Sequence, residues 1–425
     1  MAYVIVFVVL GLLLAMGVPI YISLLLASFF GVMAFTDISP EILIQRSFAG
    51  IDKFVIMSLP FFILGANAMD VGGLSKRIIA LCRALFGHIF GGLAVTTQSA
   101  ATLFGALSGS GPATVVAIGR ILFPELARSG YPVKWASGLI VQAGSVSLLI
   151  PPSISLLLFA SVTNLSVSDM FFGGLGAGLV LTFFIMVYIY IYARRHGIRG
   201  EKRASFDEIV KAFKDSIWSL FVPVIIIGGI FSGIFTPTEA AAVSAVYAIL
   251  IGAFVYKEIT VKKLFKLCLQ SAKTTASVMI LIAASSGFSW LLTITQFPAV
   301  IADFLTTYFH NSVTFLLFLN ILLLLMGMVL EPTLALVIVS PLILPTAVSL
   351  GIDPVHLGVV ICLNLAIGMF TPPFGLNIFV GQSITRLEMT EAWKGLVPFI
   401  IVSILALMLV TYYPPISLFF PGMLN

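Results

Sequence analysis

Charge is scarce in these 425 residues. Only 9% are Asp, Glu, Lys or Arg, against roughly a quarter in soluble domains. So few charges cannot coat a water-facing surface, so a soluble globular fold is excluded. With 60% hydrophobic residues and a mean hydropathy of +1.17, the composition is that of a polytopic membrane protein. Cysteine is also rare. Cys82, Cys268 and Cys362 lie far apart with no CxxC pair, so neither a disulfide framework nor a zinc site is indicated. The four histidines, His88, His196, His310 and His356, lie singly near the ends of apolar stretches. No Walker A loop, dinucleotide fingerprint or HExxH is present, and nothing points to nucleic acid. The opening MAYVIVFVVLGLLLAMG has no basic n-region and is read as a span, not as a cleaved leader.

What charge there is carries topology. Apolar stretches fall at about 3–16, 20–35, 54–71, 89–124, 134–164, 172–193, 216–235, 240–256, 274–294, 298–349, 355–385 and 395–413. Arg194 to Lys214 and Lys257 to Lys273 hold two basic clusters, and twenty of the 22 basic residues can be placed on one side. That side is cytoplasmic by the positive-inside bias. The arrangement requires 89–124 and 298–349 to be re-entrant hairpins, with ten full crossings and both chain ends outside. The two exceptions, Arg46 and Lys53, sit in DISPEILIQRSFAGIDKF. That segment reads as an amphipathic helix at the outer interface or as a solvated loop.

Proline and glycine recur with a period. Pro112 matches Pro332, Pro124 matches Pro345, Gly130 matches Gly351 and Pro132 matches Pro354. The pair Pro151–Pro152 matches Pro372–Pro373, and all these separations are 220 to 222 residues. Residues 1–210 and 211–425 are thus expected to be two repeats. The first has scaffold spans over 1–71, hairpin 89–124, broken span 134–164 and span 172–193. The second has scaffold spans over 216–256 and 274–294, hairpin 298–349, broken span 355–385 and span 395–413. An odd number of crossings per half inverts the second repeat, and in such proteins paired interruptions locate the binding site.

Four interruptions stand out: ALSGSGPATV (106–115), SVSLLIPPSIS (145–155), GMVLEPTLAL (327–336) and GMFTPPFGLN (368–377). Proline breaks the preceding turn and favours the first position of a new helix. Ser110, Glu331 or Thr371 just before it is placed to cap. Free N–H groups at a restart suit an anion, and free carbonyls before it suit a small cation such as sodium. Expected sodium ligands are Ser108, Gly109, Ser110, Ser145, Ser147 and Pro151 in the first half. Their second-half counterparts are Gly327, Glu331, Thr333, Gly368, Thr371 and Pro372. Expected substrate contacts are Ser110, Pro112, Ala113, Pro152, Ser153, Pro332, Thr333, Pro373, Asn377 and Asn364.

The bland alternatives are specific. Proline kinks are common and often purely structural in membrane helices. Glu331 could ligate a cation, carry a proton or cap the helix that starts at Pro332. Asn364 could face the cavity or act as interhelical glue. Arg120 could meet a substrate carboxylate or anchor topology by snorkelling. An intramembrane serine protease using Ser108 or Ser110 lacks a histidine at midplane depth. A channel would need a continuous polar path.

At FGALSGSGPATVVAIG, LIPPSISLLLFA and GMFTPPFGLNIFVG the sequence resembles the large, DctM-like permease subunit of TRAP (tripartite ATP-independent periplasmic) transporters, over essentially the whole chain. The resemblance implies an all-α, inverted-repeat, elevator-type secondary transporter with two re-entrant hairpins and two discontinuous helices. It implies sodium-coupled import of a small organic anion, such as a C4-dicarboxylate or sialic acid, across the bacterial inner membrane. It further implies two partners besides membrane lipid: a periplasmic substrate-binding protein and a small four-helix membrane subunit, here a separate polypeptide.

Overall fold

The computed structural model describes residues 2–309 and 311–423, so His310 lies outside the described residues. Every regular element among them is helical. The first part of the chain forms α1 (Ala2–Ala15), α2 (Ile20–Phe35), α3 (Glu41–Ile51), α4 (Ser58–Val71) and α5 (Leu74–Phe86). A hairpin of α6 (Gly92–Ser108) and α7 (Gly111–Arg128) follows, then α8 (Val133–Ala143), α9 (Ile154–Thr163) and α10 (Val167–Arg195). The second part forms α11 (Phe206–Phe231), α12 (Pro237–Val255) and α13 (Val261–Ile294). It continues through α14 (Phe297–Tyr308), α15 (Ser312–Gly327), α16 (Pro332–Ser349), α17 (Pro354–Gly368), α18 (Leu376–Thr385) and α19 (Met389–Tyr412). Among the described residues, seven helical stretches are long and apolar enough to cross a membrane. Shorter apolar helices, such as α9, α15 and α17, adjoin the interruptions. The chain is a multi-pass membrane protein.

Several boundaries differ from the hydropathy reading, and each difference has a local cause. Residues 257–273 are not all loop: α13 starts at Val261, where the Thr260 hydroxyl accepts from Lys263 N–H. Residues 194–214 are likewise not all loop. α11 starts at Phe206 behind a capping box of Ser205 and Glu208, which satisfies two otherwise orphaned donors. The second hairpin is narrower than 298–349, because 297–308 forms the separate helix α14 and the arms are α15 and α16. Hydropathy merged them because the intervening turn carries little charge. The amphipathic helix expected within 37–54 is α3.

Packing sorts the helices into two groups. α12 lies along α4, while α13 packs on α2, α3 and α4. In the other group α8 packs on α19, α10 on α17 and α19, and the two hairpins meet the halves beyond the breaks. α9 packs on α16 and α18 on α7, so each hairpin's second arm touches the opposite half of the chain. Small residues permit the closest approaches, as expected in a membrane interior. A Cβ on Gly138 of α8 would collide with the Gly395 carbonyl of α19. At the basic end Arg83 bridges Glu125, at 2.9 Å, and Glu201, and Lys134 pairs with Glu391. These pairs are partly exposed, so solvent screens them and they contribute little to stability. They tie loops together; burial holds the helices.

Candidate functional site

The first hairpin turns at Gly109, whose φ of +57° lies in the left-handed region. A side chain there would also strike the Pro152 carbonyl, so glycine is required twice over. Ser110 is extended (φ −129°, ψ 119°), and α7 resumes at Gly111 with Pro112 next. Behind the turn, Ser108 Oγ lies 2.9 Å from Thr114 Oγ1, which lies 2.7 Å from Ser147 Oγ. Thr114 Oγ1 also donates to Ser110 O at 3.0 Å. This chain of hydroxyls joins the tip to the 144–148 turn, where α8 ends. In the second hairpin α15 ends at Gly327 and α16 begins at Pro332. Thr333 Oγ1 donates to Glu331 Oε1 at 2.7 Å. Gly327 lies backbone to backbone with Gly368, where α17 ends: a Cβ on Gly327 would be 3.0 Å from Gly368 Cα.

Both interrupted segments contain a cis Pro–Pro bond, Pro151–Pro152 and Pro372–Pro373. Helices do not restart at these prolines, as the sequence suggested, but two or three residues later, at Ile154 and Leu376. A residue that precedes proline is driven out of the α region, so the first proline of each pair cannot open a helix. The carbonyls of Leu149 to Pro152 and of Phe370 to Phe374 accept no hydrogen bond among the described residues. Leu149 to Pro152 are buried, and unmet polar groups at such a place cost several kcal/mol in hydrocarbon.

The tips and the restarts meet at one cavity of about 150 Å³. Gly109, Ser110, Pro112, Glu331, Pro332 and Thr333 line it with Met369, Ile154 and Ser155, and Thr274 and Val278 of α13 close one side. Other expected residues stand further off. Ser108 and Ser147 belong to the hydroxyl chain, and Ser145 is buried with its Oγ unpaired. Ala113 is exposed. Ser153 caps α9, accepting from Leu156 N–H and donating to Leu148 O. Asn377 is fully buried and crosses to the first half of the chain. Its Nδ2 donates to Val141 O at 3.3 Å, its Oδ1 has no partner, and Gly111 and Gly144 lie beside it. Asn364 points instead to Asn320 of α15, donating to its Oδ1 at 2.7 Å, as interhelical glue does. Arg120 is exposed and does not line the cavity.

The expected caps are not made. Ser110 and Glu331 make no side-chain capping bond, and the Thr371 hydroxyl donates back to Ile367 O at 2.8 Å. The Glu331 carboxylate is turned toward Thr333, leaving it among the cavity residues. Thr114, Ser155, Asn320 and Thr274 were missed. Thr114 was within reach, being one helical turn past the tip in SGSGPAT, whereas Thr274 lies far away in sequence. Around each tip the donors are oxygens only, hydroxyl, carbonyl and one carboxylate, a set that fits a hard cation such as sodium.

The comparisons agree with this architecture. The fold resembles that of the YdaH transporter of Alcanivorax borkumensis, with a TM-score of 0.67 at 15% identity, covering 88% of this chain and 87% of that one. Helical interruptions gathered at one cavity are the arrangement that membrane transporters use for their binding sites. Residues 7–416 match the family model described as the tripartite ATP-independent periplasmic transporter, DctM component, and the chain belongs to that family. It is 39% identical to the C4-dicarboxylate TRAP transporter large permease protein DctM of Pseudomonas aeruginosa, over 95% of this chain and 94% of that one. It is 36% identical to the isethionate TRAP transporter permease protein DctMQ of Oleidesulfovibrio alaskensis, over 97% of this chain and 65% of that one.

Proposed function

We propose that this protein is the large subunit of a sodium-coupled importer of a small organic acid, working by an elevator-like movement in the bacterial inner membrane. The observation that carries the reading is the single cavity shared by both hairpin tips and both restarts. Its helix N-termini suit the anion, and its carbonyls and hydroxyls suit sodium. An ionised Glu331 beside an organic anion requires a cation between them, since like charges at such range repel. We assign one sodium to the Glu331–Thr333 tip and another to the Ser108–Thr114–Ser147 chain. Inward sodium movement is driven by about 2.3 kcal/mol per net charge per 100 mV. The relatives named for C4-dicarboxylate and isethionate transport favour a carboxylate or sulfonate substrate.

The inverted repeat is part of the proposal, and the element order supports it. α6, α7, α8 and α9 correspond to α15, α16, α17 and α18, each starting 220 to 222 residues later. The packing of α9 on α16 and of α18 on α7 is reciprocal, as a two-fold pseudo-axis requires. The mobile part comprises these hairpins and broken helices, and α1–α4 with α11–α13 form the scaffold. The partners are a periplasmic substrate-binding protein, which delivers the acid, and a small membrane subunit lying against the scaffold.

The test is uptake of succinate or isethionate into proteoliposomes holding the complete tripartite system. Uptake is expected only under an inward sodium gradient, and sodium-independent uptake sinks the reading. Thr114→Val keeps shape but removes the hydroxyl that links tip to turn. It is expected to raise the sodium concentration for half-maximal uptake about tenfold, in line with about 1.5 kcal/mol for such a bond.

A further inference from the structure

Arg46 and Lys53 are the two basic residues that the charge bias does not explain, and the fold brings them to one pocket. It measures about 250 Å³ and lies between α3 and α13 on one side and α9 and α16 on the other. Its lining includes Ser161, Ser285, Ser289 and Trp290, and no acidic side chain. Lys53 Nζ donates to Ser161 O at 2.8 Å and to Asn164 Oδ1 at 3.2 Å, both neutral acceptors. Neither Lys53 nor Arg46 makes an ion pair among the described residues. Ser285 Oγ is buried in the lining without a partner. Partial burial lowers the pKa of the Lys53 ammonium, as expected for a cation that has lost water without gaining a counter-ion. Two unneutralised cations and an unused hydroxyl facing a small pocket make a site for an anion.

Its position relates it to the tip cavity. Thr274 and Val278 of α13 face that cavity, and Ile282, Ser285 and Ser289 of the same helix face this pocket. Steps of three and four residues keep all five on one face, and the eleven residue steps from Thr274 to Ser285 rise about 16 Å. The pocket lies away from the lysine-rich start of α13, hence on the outer side by the charge bias. We propose that the Arg46–Lys53 pocket is an outer docking station that holds the carboxylate or sulfonate of the incoming substrate before it reaches the tip cavity. This rests on reading the tip cavity as the substrate site.

The test uses full-length protein with its partners in proteoliposomes, with Cys268→Ser removing the exposed native thiol and Ser289→Cys reporting on the pocket. Rates of modification by a sulfonate-bearing and a trimethylammonium-bearing methanethiosulfonate are each normalised to a free thiol. The sulfonate reagent is expected to react about tenfold faster, and Arg46→Gln with Lys53→Gln to erase that preference. Succinate or isethionate should slow the sulfonate reaction. With Ser289 intact, the same pair of substitutions should raise the KM for substrate-loaded binding protein about tenfold without moving the sodium half-saturation. Arg46→Lys with Lys53→Arg, which keeps both charges, should restore it. Rates indifferent to reagent charge, no protection by either acid, or an unchanged KM overturns the proposal. A sulfonate preference in a protein that imports neither acid counts instead against the tip-cavity reading.

Discussion

Pro372→Ala combined with Pro373→Ala is expected to lower uptake at least about a hundredfold, some 2.7 kcal/mol or more, with membrane insertion intact. The interruption between Gly368 and Leu376 leaves the carbonyls of Phe370 to Phe374 without a protein donor among the described residues. Two alanines permit α17 to run on into α18, because the missing N–H groups return and the residue before each former proline regains the α region. A continuous helix would consume those carbonyls internally. It would also carry Leu376 and Asn377 away from the cavity edge and from Val141, which Asn377 now reaches. Insertion should survive, since alanine is at least as compatible with a hydrocarbon-embedded helix. The measurement is sodium-driven uptake per unit of membrane-embedded protein. Retained uptake would mean that the segment is a structural kink.

Gly368→Val should be nearly as damaging for a different reason. An added Cβ at Gly368 would lie 2.5 Å from Gly327 Cα, and the obstructing atom is backbone, which cannot swing aside. α15 and α17 would have to separate where the second tip meets the second break. Over-packing of this kind costs about 1–3 kcal/mol in stability, which the folded protein can absorb. The cavity cannot, because a shift of about 1 Å away from a reacting or binding centre can cost about a hundredfold. The expected result is a modest fall in melting temperature with uptake down about a hundredfold. Gly368→Ala should fall between this and the native protein. If Gly368→Val transports normally, the contact has no part in the binding geometry.

Legibility followed locality. Gly109, the Pro–Pro pairs and the restart at Pro332 could be read directly, because proline and glycine act on their own backbone. The helix α5 and the starts of α11 and α13 were harder, since they are amphipathic and lie outside the hydropathy maxima. Where a side chain caps them, as Ser205 with Glu208 does for α11 and Thr260 for α13, the cap was the readable signal. Capping by Ser110 and Glu331 was expected from residue type but depends on side-chain direction, which the neighbours set: Thr333 holds the Glu331 carboxylate. Asn364 shows the same limit, being paired with Asn320 across 44 residues.

By itself the sequence determined the membrane class, the side bias of the charges, the four interruptions and their period, because each arises from composition or from one residue's covalent limits. Tertiary structure alone decided which residues meet. It brought Ser110 and Glu331 to one cavity, laid Thr274 against it, sent Asn377 across to Val141 and turned Arg46 and Lys53 toward Ser285 and Ser289. Those meetings join distant parts of the chain through helix packing. Packing depends on the shape of every helix at once, so no local pattern encodes it.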